Sequence, residues 1–147
     1  MSPSIPDPSN PKPSEPSSKL PEGLGLSAEH LSQARSHALI ELARTDSPEA
    51  VFAYGEHVFG YEPAQHHKDR ITSVLEAIYA RRHTVYLLPR GGAKTTWVNT
   101  ILSSWLIGKF PDIRLGMVSN TDTQAKDFSR GIKYTIEANE AHREIFP

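Results

Sequence analysis

The sequence predicts an α/β fold: an incomplete parallel β-sheet with a helical lead-in and a disordered N-terminal tail. Three observations carry that expectation. Helical periodicity runs from about residue 27 to 83, two short apolar runs follow it, and a glycine-rich break feeds a further helix between those runs. Apolar runs without alternation suit strands covered on both faces, and strand–helix–strand order joins such strands in parallel.

The elements are taken in order. Seven of the twelve prolines and six serines fall in residues 1–21, against three bulky aliphatic side chains, Met1, Ile5 and Leu20. So little apolar surface does not offset the entropy of ordering the chain, and residues 1–24 are expected as a solvated tail. A helical lead-in occupies 25–60. Ser27 caps its first helix, Glu29 suits the positive end, and Leu31, Ala34, Ala38 and Leu42 share a face. Asp46-Ser47-Pro48-Glu49 starts a second helix with Pro48 at its first position. It carries Val51, Phe52, Tyr54 and Val58 and stops near Gly60. The third unit, 61–147, opens at Pro63 with a helix striped by Ile71, Val74, Leu75 and Ile78 and closed by Arg81-Arg82-His83. Thr84 to Leu88 reads as the first strand, Lys94 to Ile107 as a helix ended by Gly108, and Ile113 to Ser119 as the second strand. Thr121 and Gln124 form a capping box for a last helix lined by Ala125, Phe128, Ile132 and Ile136.

Composition excludes several classes of function. With 16 basic and 17 acidic residues the formal charge is −1, so bulk charge does not coat nucleic acid. There is no cysteine, which removes disulfide frameworks, thiolate metal sites and cysteine nucleophiles. No apolar run approaches the roughly 20 residues that span a bilayer, and no basic-then-apolar leader opens the chain. The expected location is the cytoplasm, with no membrane partner.

The chemistry concentrates in Pro89-Arg90-Gly91-Gly92-Ala93-Lys94-Thr95-Thr96. Glycines let successive backbone N–H groups curl toward one anion. The helix start behind them adds unsatisfied donors and partial positive charge. Lys94 reaches outer phosphates as a point charge, and Thr95 places a hydroxyl on Mg²⁺. All of these parts address one ligand, a nucleotide polyphosphate with its metal. A lysine at a helix start otherwise opposes the helix dipole. The strict Walker A pattern is not met, since Leu88 and Ala93 stand where it has glycine. The site nonetheless reads as that of a P-loop NTPase of the ASCE type.

Arg90, four residues before Lys94, narrows the reading. The string Pro89 to Thr96 resembles the deviant Walker A of large terminase subunits, the ATP-driven motors that package tailed-phage genomes. Trp105-Leu106-Ile107-Gly108-Lys109-Phe110-Pro111-Asp112 is similar to that family's segment after the loop helix. Ser119 to Ala125, Phe128-Ser129-Arg130, Ile132-Lys133, Asn139-Glu140 and Phe146-Pro147 resemble its next strand and helix. Phe59 to His67 resembles its entry segment, so the likeness covers about residues 50–147. The resemblance implies that Pro89, Arg90, Gly91, Gly92, Ala93, Lys94, Thr95 and Thr96 bind ATP, with Mg²⁺ on Thr95. It implies catalytic roles for Lys94 and for Arg90, which would fork onto the γ-phosphate. It places Gln65 near the adenine, where an amide pairs with the ring nitrogen and exocyclic amine. The implied partners are double-stranded DNA, the portal protein, the small terminase subunit and the remainder of the motor polypeptide, in the bacterial host cytoplasm.

Competing readings stand beside these. Gln65, His66 and His67 also suit a solvated helix start, and adjacent histidines are not expected to face each other or to hold a metal. Ser119, Asn120 and Thr121 suit DNA contact or plain capping. Lys68, Arg70, Arg81 and Arg82 suit phosphate contact or a solvated face. Trp97 and Trp105 are expected in the core. No aliphatic strand ending in Asp-Glu follows Lys94, and no cluster of nuclease carboxylates appears. The expected function is therefore the ATP-binding front portion of a motor, without hydrolysis by itself. A nucleotide-binding regulatory remnant, and a fragment of another ATPase such as a helicase, are the alternatives.

Overall fold

The computed structural model describes residues 27–83 and 95–147. Among them every regular element is a helix: α1 Ala28–Ala43, α2 Pro48–Phe59, α3 Gln65–Tyr79, a π-helix π1 Thr95–Leu102 running into α4 Ser103–Lys109, α5 Asp122–Ala138 and α6 Glu140–Ile145. The expected α/β architecture, a parallel sheet of the P-loop NTPase kind, is overturned. Ile113 to Ser119 takes no regular secondary structure, and Val118 is 97% exposed. A strand exists only through its neighbour, and among the described residues no ladder takes up the N–H and C=O groups of this segment. The other expected strand, Thr84 to Leu88, lies outside the described residues, as does the tail 1–24.

The lead-in helices form where local chemistry places them. Ser27 Oγ accepts the His30 N–H at 3.3 Å and starts α1. Pro48 sits at the first turn of α2, and Gly60, at φ 69°, ends it in the left-handed region that glycine tolerates. The Gly60 and Tyr61 N–H groups then satisfy the carbonyls of Glu56 and Gly55 at 3.0 and 3.2 Å.

The expected face of α1 is corrected. Ala34 and Ala38 are exposed, as are Leu31 and Leu42. The helix instead turns Ser36, Leu39, Ile40 and Ala43 toward the core, an i, i+3, i+4, i+7 set on another side of the axis. In α3 the stripe holds at Ile71, Val74 and Leu75, while Ile78 stays exposed and Ala77 is buried instead.

A single core joins Val51 and Tyr54 of α2, Ile71 and Leu75 of α3, Trp97 and Ile101 of π1, Trp105 and Leu106 of α4 and Ile145 of α6. The two tryptophans lie in it as expected, and Trp105 Nε1–H donates to the Ala43 carbonyl at 2.8 Å. Gly108 does not end its helix, which continues to Lys109. It is a seat instead: a Cβ at Gly108 would stand 2.3 Å from the Phe146 ring.

The helix α6, for which no separate element is expected from the sequence, closes the fold. Asn139 Oδ1 caps it through the His142 N–H at 3.3 Å. Arg44, at the end of α1, donates to the Ile145 and Glu144 carbonyls at 3.0 and 2.7 Å. His57 of α2 meets Glu144 at 3.0 Å. Lys109 holds the other side of the α1–α2 turn, contacting Asp46 at 3.0 Å and the Arg44 carbonyl.

Candidate functional site

Pro89, Arg90, Gly91, Gly92, Ala93 and Lys94 lie outside the described residues. The description resumes at the residues that would follow them on the ligand. Thr95 opens π1 and is exposed, and Thr96 beside it is half-buried. Six of the loop's eight residues therefore have no described geometry. The two that do, Thr95 and Thr96, belong to the first described turn of π1.

This helix is unusual. Over eight residues, Thr95–Leu102, the turns are wide and close i→i−5. Two side chains follow the same spacing: Thr100 Oγ1 donates to the Thr95 carbonyl at 3.5 Å, and Ser103 Oγ to the Val98 carbonyl at 3.2 Å. In α5 the comparable hydroxyls, Ser129 and Thr135, reach the carbonyls four residues back, each at 3.0 Å.

The first turn of α3 lies against this segment. The His67 ring stacks on Trp97, with centroids 5.5 Å apart and 26° between planes. The Ala64 N–H donates to His67 Nδ1 at 3.2 Å, which leaves the ring proton on Nε2. The structure thus brings the Gln65–His67 turn beside the start of π1. Gln65 itself is exposed, and its amide donates to Asp69 at 2.8 Å, one turn along α3. The expectation that His66 and His67 do not face each other is corrected, because their ring centroids lie 3.9 Å apart in the first turn of α3. Among the described residues no group of three or more histidines and carboxylates is placed to hold a metal.

Other candidate residues serve local structure. Thr121 Oγ1 accepts the Gln124 N–H at 3.3 Å, the first half of the expected capping box. The second half is absent, because Gln124 Oε1 takes the Ser119 hydroxyl at 2.8 Å instead. On α5, Lys126 pairs with Asp122, Arg130 with Asp127 at 3.1 Å and Lys133 with Glu137 at 3.7 Å, which balances that face.

Sequence reasoning missed one polar cluster entirely. Tyr54 Oη and His142 Nδ1 are 2.7 Å apart in the core, with the rings edge-on at 5.8 Å. The fully buried Ser104 Oγ stands beside the phenol without a hydrogen bond of ordinary geometry. Burial pushes the Tyr54 phenol well above the usual tyrosine range and holds the His142 imidazole below the usual histidine range. Sealed from solvent, this cluster fastens α2 to α6 and offers no path to a substrate. The one sequence signal for it is Asn139 three residues before His142, a cap that marks a further helix.

An apolar cleft of about 310 Å³ opens between residues 113–119 and α5, lined by Ile107, Leu115, Met117, Ile132 and Ile136. Among the described residues no helix is long and apolar enough to cross a membrane. No protein-family description, curated protein or solved structure matches this chain.

Proposed function

We propose that this chain binds the polyphosphate of ATP with Mg²⁺ through residues 89–96, as the nucleotide-binding front portion of a large terminase subunit. One observation carries the reading: the string Pro-Arg-Gly-Gly-Ala-Lys-Thr-Thr, whose last two residues lie in a helix with Thr95 exposed. The reading rests on that string and that helix, not on a sheet. Small residues gather backbone N–H groups, Lys94 supplies charge, Thr95 supplies an oxygen for the metal, and the Arg90 guanidinium meets the terminal phosphate. The stacking of His67 on Trp97 supports an adenine seat near Gln65, because it sets the α3 turn beside the same helix.

Nucleotide binding is the activity this reading assigns to these residues; the carboxylates that order Mg²⁺ and activate water in such motors have no counterpart motif among residues 95–147. Double-stranded DNA, the portal protein, the small terminase subunit and the remainder of the motor are partners that this reading assigns to the assembled machine.

Titration calorimetry of the full chain with Mg·ATP tests the reading, with circular dichroism confirming the helical fold of each variant. Lys94→Ala is expected to weaken binding at least tenfold, as loss of a charge-assisted phosphate contact does at about 1.5–3 kcal/mol. Equal affinity in Lys94→Ala and the parent would overturn it.

A further inference from the structure

We propose that α6 is an acid-released strap: when the His142 ring takes a second proton at mildly acidic pH, α6 detaches from α2 about Asn139, while the other helices keep their packing.

The geometry of α6 sets it apart from the rest of the fold. It has six residues, too few for a helix to be stable without tertiary contacts. Asn139 alone joins it to α5, ending one helix and capping the next at φ −84° and ψ 117°. A single extended residue between two helix ends is placed to act as a hinge. Contacts with α1 and α2 hold the strap down. Tyr54 Oη lies 2.7 Å from His142 Nδ1, and Phe146 packs on Tyr54 with ring centres 6.0 Å apart. Arg44 reaches the Glu144 and Ile145 carbonyls, and His57 meets Glu144. The Tyr54–His142 contact is sealed from water, with Tyr54 fully buried and His142 3% exposed.

A charge on His142 has nothing to balance it. From α2 the ring faces Tyr54, whose burial keeps the phenol protonated, so no phenolate answers an imidazolium. From α4 comes the Ser104 hydroxyl beside that phenol, while Lys109 is engaged with Asp46. From α1 comes Arg44, itself a cation. Glu137 of α5 is exposed and pairs with Lys133. On α6 itself Glu144 turns to His57, and Glu140 and Arg143 are exposed. Among the described residues no carboxylate pairs with His142.

The hydrogen bond suffers as well. A neutral ring can accept the phenol O–H at Nδ1. An imidazolium carries N–H on both nitrogens, so the phenol must aim its proton elsewhere and a desolvated charge remains. Burial accordingly holds the imidazole below the usual histidine range. Opening α6 to water removes that penalty, so the open form binds the proton first. The ratio of open to closed strap then rises by up to about tenfold for each pH unit below the ordinary value of 6.5.

The His57–Glu144 contact pulls the other way, because a charged His57 gains from the carboxylate. Glu144 is 58% exposed, so that gain is screened, and the sealed His142 decides the direction. Release uncovers the Tyr54 ring, empties the Phe146 seat at Gly108 and frees Arg44 at the α1–α2 turn.

Amide hydrogen exchange of the full chain by NMR between pH 7.5 and 5.0, with each rate normalised to the unfolded-chain rate, tests the strap. The Arg143 and Phe146 amides, bonded to the Asn139 and His142 carbonyls, report on α6. The Tyr54 and Trp105 amides report on α2 and α4. Protection at Arg143 and Phe146 is expected to fall about threefold to tenfold from pH 6.5 to 5.5, with Tyr54 and Trp105 unchanged. The His142 ring signal is expected to titrate over the same interval. Glu144→Gln removes the opposing contact and should deepen the fall, and His142→Gln should abolish it. Protection that is unchanged or rises on acidification overturns the strap, as does an equal loss in α2 and α4. A His142 ring that stays neutral while α6 loses protection, or a shallower fall in Glu144→Gln, overturns the assignment to His142.

Discussion

Replacing Gly108 by alanine should destabilise the protein, and the same replacement should stabilise it once Phe146 is gone. A Cβ on Gly108 would fall 2.3 Å from Phe146 Cδ2 and 2.8 Å from two further ring carbons. Ordinary carbon contacts begin near 3.5 Å, so the ring must retreat by about 1 Å or leave its seat. It is held there by Tyr54 and His142, whose ring centres lie 6.0 and 5.5 Å away. Losing a half-buried phenylalanine with its aromatic contacts costs about 2–3 kcal/mol. Against this, alanine in a helix gains about 1 kcal/mol over glycine. The net effect of Gly108→Ala is a loss of about 1–2 kcal/mol. In a Phe146→Ala background the obstruction is absent and only the helix term remains, a gain of about 0.5–1 kcal/mol. Urea denaturation of the four proteins of this double-mutant cycle measures both numbers. A stabilising Gly108→Ala in the presence of Phe146 would refute the seat.

Gly55→Ala should lose about 1–2 kcal/mol for the same reason, with Trp97 as the obstructing ring, read as a lower urea midpoint. Trp105→Phe removes the donor to the Ala43 carbonyl and part of a fully buried ring, and should cost about 2–4 kcal/mol by the same assay. Stability should also depend on pH through the Tyr54–His142 pair. Burial lowers the His142 pKa in the fold, so the unfolded chain binds the proton first. That contribution is complete above the ordinary value of 6.5 and is lost as pH falls below it, and His142→Gln should flatten this limb. Burial raises the Tyr54 pKa, so stability should also fall above pH 10, where only the unfolded phenol ionises, and Tyr54→Phe should remove that limb.

The legible parts of the fold were those fixed by chemistry within a few residues. Ser27, Pro48, Gly60 and Thr121 each mark a helix end, and each acts locally through a backbone N–H, a fixed φ or a left-handed turn. The face of α1 was not legible, because Leu31-Ala34-Ala38-Leu42 and Ser36-Leu39-Ile40-Ala43 each line one side of a helix. Only the packing of α2 against α1 chooses between them. Ile113 to Ser119 has strand composition, but a strand needs a neighbour, and composition does not supply one. The six residues of α6 are too few for periodicity to show. At the candidate site a helix was legible, expected over Lys94–Ile107 and found over the described part from Thr95 to Lys109. The wide turns behind it were not, since no residue type marks a π-helix. The Tyr54–His142 contact joins positions 88 apart and has no local signature.

The bonds from Arg44 to the Glu144 and Ile145 carbonyls join positions 100 and 101 apart in sequence. A ribosome adds about 5–20 residues per second, so the first hairpin emerges several seconds before its fastening does. During that interval Tyr54 lacks His142 and Phe146, and the Arg44 guanidinium lacks its carbonyl acceptors. Nascent chains arrested before Asn139 should therefore recruit holding chaperones, and release them once the last helix clears the exit tunnel.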